Sequence, residues 1–173
     1  MTLATTTWRT AAVVGLVANV LAHAATFRPA VPSWLDLAVM LAFGLAILVF
    51  VGAAAGLRHR SEHLGGMALN LAGVPLWSLV AVPLLMLNAG VAWLRMLGSG
   101  LHMGETLQLV ADSGQVLRGG VVVRTLAPAE AQALAVADLP MFSATGLLFA
   151  ALGLAAWQMA ARVDARSERQ QAN

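Results

Sequence analysis

Four long apolar runs dominate the chain, at about residues 10–27, 37–57, 67–94 and 141–161. Short polar breaks separate the first three, and a longer mixed segment, 95–140, precedes the fourth. Roughly 20 apolar residues cross a bilayer core of about 30 Å as a helix, so each run is a candidate span. The run Met67–Leu94 (MALNLAGVPLWSLVAVPLLMLNAGVAWL) is the longest and holds no charged residue. At about 100° per residue, Asn70, Trp77, Ala81 and Asn88 share one stripe of it. Amide side chains are costly in lipid, so this stripe is expected to face other helices and to make the run the centre of a bundle. It also contains Pro75 and Pro83.

The first run admits a second interpretation. Arg9, a short apolar region and Ala22-His23-Ala24 fit a signal peptide with a small-residue cleavage site. The run is just long enough to span, which favours an uncleaved helix. The second run carries Gly52-Ala-Ala-Ala-Gly56, preceded by Ala38, Ala42 and Ala46. Small residues four apart let another helix approach closely.

The segment 95–140 reads differently. Thr106 to Val110 alternates, Asp112-Ser113-Gly114 signals a turn, and Gln115 to Leu117 can return as a partner strand. Val121 to Leu126 follows Gly119-Gly120 as a further β segment. Pro128 and Glu130 suit the first turn of a short helix to about Ala137. The expectation is a small β-hairpin with a short helix, too slight to be stable alone.

Composition sharpens the class. The 173 residues are 60% hydrophobic and 10% charged, where a soluble domain is about a quarter charged. All ten basic residues are arginine, and they gather at the ends of apolar runs, which is a topology signal and not a nucleic-acid face. Arg9, Arg58, Arg60, Arg162, Arg166 and Arg169 fall on one side, against Arg28 and Arg95 near span ends on the other. The positive-inside rule therefore puts both termini in the cytoplasm and the segment 95–140 outside. The lack of cysteine removes disulfides and thiolate chemistry. The Ala-, Leu- and Gly-rich, lysine-free usage suggests a bacterial cytoplasmic (inner) membrane.

Candidate chemistry is sparse. His23 lies inside the first run, four residues after Asn19, and His102 lies just beyond the third. Either can serve a haem b, a metal or a quinone. The simpler role for His23 is an interhelical hydrogen bond, for instance to Asn88, within a polar set of Asn19, Asn70 and Asn88. His59 and His63 have i,i+4 spacing, but Arg58 and Arg60 beside them repel a cation, so no metal site is expected. No acidic residue falls within a run, and no G-x-S-x-G or phosphate-binding loop is present.

These features specify an all-α membrane protein. It is a single domain over 1–173: a four-transmembrane-helix bundle with a small extracytoplasmic hairpin and helix between spans three and four. The favoured function is a non-catalytic accessory or assembly subunit. It would work within the lipid bilayer, packed against other membrane proteins or itself. Asn19, Gly52, Gly56, Asn70, Trp77 and Asn88 are its helix-packing residues. The alternatives are a redox protein with a site near His23 and His102, and a small-solute transporter around the Pro75/Pro83 helix.

Overall fold

A computed structural model describes residues 3–27, 34–63, 74–98, 105–110 and 113–172. Among the described residues, five helices and three strands follow in order. They are α1 (Leu3–Ala25), α2 (Trp34–His63), α3 (Leu76–Leu97), β1 (Glu105–Val110), β2 (Ser113–Arg118), β3 (Val121–Leu126), α4 (Pro128–Ala135) and α5 (Leu139–Ala172). The helices α2, α3 and α5 are long and apolar enough to cross a membrane, while α1 contributes the shorter apolar stretch Thr10–Ala25.

Close contacts give the bundle its directions. Trp8 meets Gly52 and Gly15 meets Leu45, so α1 and α2 run antiparallel. Gly146 meets Phe43 and Gly153 meets Phe50, so α5 runs parallel to α2. Both glycines are seven residues apart, as are both phenylalanines, which repeats one contact two helical turns later. A Cβ at Gly153 would lie 3.2 Å from Phe50 Cα, and this lets the two backbones approach. Phe43 and Phe50 then engage Phe149 at ring-centroid distances of 6.4 Å and 5.3 Å.

The centre of the bundle is α5, not the third span. Helix α5 packs against α1, α2 and α3, whereas α3 packs principally against α5. In its apolar stretch 56% of α5 is buried, against 17% for α3. The reason is steric. Ala144, Gly146, Ala150, Ala151, Gly153 and Ala155 make α5 thin enough for three neighbours, whereas α3 exposes Leu79, Val80, Leu84 and Leu87.

Helix α3 also starts later than its apolar run. Pro75 has extended backbone (φ −62°, ψ 129°) and caps the helix, so α3 begins at Leu76 and runs on through Pro83. Trp77 therefore sits in the first turn of α3. Leu139-Pro140-Met141-Phe142-Ser143 begins α5 with the same pattern as Val74-Pro75-Leu76-Trp77-Ser78. In each, the serine hydroxyl donates to the proline carbonyl three residues back, at 2.7 Å for Ser78 and 3.1 Å for Ser143. Proline lacks only a donor that the first turn leaves unpaired, so it starts a helix cheaply.

The expected hairpin is a three-stranded antiparallel sheet in the order β1-β2-β3. Val121–Leu126 joins it because Gly119 (φ 59°) and Gly120 (φ 82°) form the two-residue turn that returns β3 onto β2. Ser113 and Gly114, read as turn residues, belong to β2. Gly114 leaves room for Ala131 of α4, which closes a small core of Val116, Leu126, Ala131 and Leu134. Glu130 accepts the Ala127 N–H at 3.2 Å and caps α4. Glu105 and Arg118, directly opposite across β1 and β2, form an ion pair of 2.6 Å.

Candidate functional site

Polar residues of three helices converge where α1, α3 and α5 meet, near the end from which the connection carrying the sheet leaves. His23 Nε2 of α1 lies 3.3 Å from Asn88 Nδ2 of α3. Its Nδ1 lies 2.8 Å from Ser143 Oγ of α5. These contacts accommodate one consistent order of donors and acceptors. With Ser143 donating to the Pro140 carbonyl at 3.1 Å, its oxygen accepts from the Nδ1–H tautomer of His23. Nε2 then carries the lone pair and accepts from the Asn88 amide. That order gives one chain of hydrogen bonds, Asn88 to His23 to Ser143 to Pro140. The edge of Phe27 against the imidazole ring, with centroids 5.1 Å apart, closes another side.

One turn further along α1, Asn19 is fully buried. Its Nδ2 donates to the Gly15 carbonyl of its own helix and to the Ala42 carbonyl of α2, each at 2.8 Å. Two acceptors on one side settle the amide orientation. Oδ1 then points at Gly146 of α5 and has no hydrogen-bond partner. The second α-hydrogen of a glycine occupies the place of a Cβ, so Gly146 offers this oxygen a C–H···O contact. Asn19 thus joins α1, α2 and α5.

The remaining expected packing residues lie apart from this cluster. Gly52 accommodates the Trp8 ring of the same chain, with Cη2 2.6 Å from the position a Cβ would take. Gly56 is half-buried one turn further along α2. Trp77 donates its indole N–H to Gln158 Oε1 of α5 at 2.9 Å. Near the other end of α3, Trp93 donates to Thr145 at 3.3 Å, so two indoles fasten α3 to α5. Asn70, His102 and the side chains of His59 and His63 lie outside the described residues. Among the described residues, no three His, Asp or Glu side chains gather as a metal site.

Ser143, Gly146, Gly153 and Gln158 were not singled out from the sequence. The duplicated Pro-x-x-Ser pattern was a legible signal for Ser143. Nothing local marked Gly146 or Gly153, because alanine and glycine are plentiful in every run. No family model matches this chain, and no curated protein or solved structure is significantly similar to it.

Proposed function

We propose that this protein is a non-catalytic accessory or assembly subunit of a bacterial cytoplasmic membrane. In this reading four helices span the bilayer, both termini are cytoplasmic and the sheet is outside. The chain acts by lateral packing against other membrane proteins or a second copy. The observation that carries the reading is the saturation of His23: both ring nitrogens are engaged by other helices of the same chain. A group used in this way holds α1, α3 and α5 in register and leaves the lipid-facing surfaces of α2 and α3 for association.

The redox alternative needs the Nε2 lone pair for a haem iron, or a free ring edge for a quinone, and both require Asn88 to withdraw. The transport alternative builds on breaks at Pro75 and Pro83. Helix α3 begins after the first and continues through the second, which favours a packed span over a gated one.

Native mass spectrometry after mild detergent extraction tests the choice. The expected result is a stoichiometric protein partner, or a homo-oligomer, without haem or quinone mass. A bound haem, with colour lost in His23→Ala, would overturn the assembly reading.

A further inference from the structure

A cavity lies at the opposite end of the bundle from His23. It is a groove of about 630 Å³ between α2 and α3, floored by α5. Phe50 and Ala54 form one wall, Leu79 and Pro83 the other, and Ala155 and Met159 the floor. It exists because α2 and α3 both pack on α5 and barely on each other. The hydroxyl of Ser78 in its lining is turned to the Pro75 carbonyl, which leaves the groove apolar.

Two arginines stand at one end of this groove. Arg58 lines it directly, and Arg162 reaches the carbonyl of Val74, another lining residue, at 3.5 Å. Both arginines keep exposed surface. From Leu152 to Met159 the floor runs seven residues, about 10 Å at the helical rise. That is shorter than one leaflet, about 15 Å of the roughly 30 Å hydrocarbon core. A ligand entering beside the arginines therefore needs an acidic head at the interface and one flexible apolar chain confined to that leaflet.

We infer that this groove is a binding site for an anionic phospholipid, with one acyl chain between α2 and α3 and the headgroup against Arg58 and Arg162. Guanidinium groups suit phosphate because they present paired N–H donors in a plane. The bound chain fills the gap that direct helix packing leaves, so the lipid completes the contact between α2 and α3.

The test is a lipid titration of delipidated protein read by native mass spectrometry. Phosphatidylglycerol and phosphatidylcholine with identical chains are compared. Phosphatidylglycerol should bind more tightly, by about five-fold for each arginine that engages the headgroup. Arg58→Gln should reduce that preference, and Arg58→Gln with Arg162→Gln should abolish it. Ala54→Phe, and independently Val82→Phe from the other wall, should block retention of both lipids while circular dichroism shows an unchanged helix content. Equal binding of the two lipids overturns the proposal, as does phosphatidylglycerol binding that persists in both groove-filling variants. A dimer that retains neither lipid and dissociates in Ala54→Phe would show that a second copy is the occupant, and would overturn it too.

Discussion

Asn19 Oδ1 of α1 and Gly146 of α5 are so close that a Cβ on Gly146 would collide with the amide oxygen. Because the Asn19 amide is tied by two carbonyls, the oxygen cannot swing away without losing both bonds. Gly146→Ala should therefore lower stability by about 1–3 kcal/mol, as overpacking does. Gly44→Ala, where the added methyl meets nothing within 4 Å, should be neutral or slightly stabilising. Reversible unfolding in mixed micelles measures both. The double variant Asn19→Ala, Gly146→Ala should cost less than the sum of the single changes, since the collision partner is gone. Additive losses would show that the two residues do not oppose each other.

The proton order around His23 is directly observable. In ¹⁵N spectra of histidine-labelled protein, His23 should show a protonated Nδ1 and an unprotonated Nε2. The opposite tautomer would reverse the chain and leave the Asn88 amide facing a donor.

Removing either partner of this imidazole should cost about 0.6 kcal/mol and at most about 1.7 kcal/mol, the mean and the maximum for hydrogen bonds between membrane helices. Ser143→Ala and Asn88→Leu are the variants, and unfolding free energy is the measurement. A loss well above this range in Asn88→Leu, together with lost activity of an associated complex, would point to a role beyond packing.

In the sheet, Gly120 (φ 82°) occupies a turn position that β-branched residues resist. Gly120→Val should destabilise the β2–β3 pairing by about 1–3 kcal/mol, while Gly120→Asn should be milder. Hydrogen exchange at Val116 and Leu117 reads the difference, with the helices serving as the unchanged reference.

Sidedness can be read with cysteine labelling, since the chain has no cysteine of its own. Thr125→Cys in β3 should react with an impermeant maleimide added outside intact cells. Arg169→Cys in α5 should react only after lysis. The reverse pattern would invert the orientation inferred from the arginines.

The apolar runs, the β character of the connecting segment, the capped start of α4 and the pairing of His23 with Asn88 could all be read along the chain. They rest on length, periodicity and local backbone chemistry, which sequence carries directly. The centre of the bundle could not be read that way. In water a buried face announces itself by its apolarity, but a membrane helix is apolar on every side because lipid is as apolar as the protein interior. The longest run, Met67–Leu94, therefore looked central, while the helix that is central, α5, is distinguished by Gly146 and Gly153 meeting Phe43 and Phe50. Likewise Ser143 became a partner of His23 only when α1 and α5 were brought side by side. Run length and apolarity mark which segments are able to cross a membrane; which faces meet emerges only from the fold, because close approach and hydrogen-bond geometry, not hydrophobicity, select helix partners among such segments.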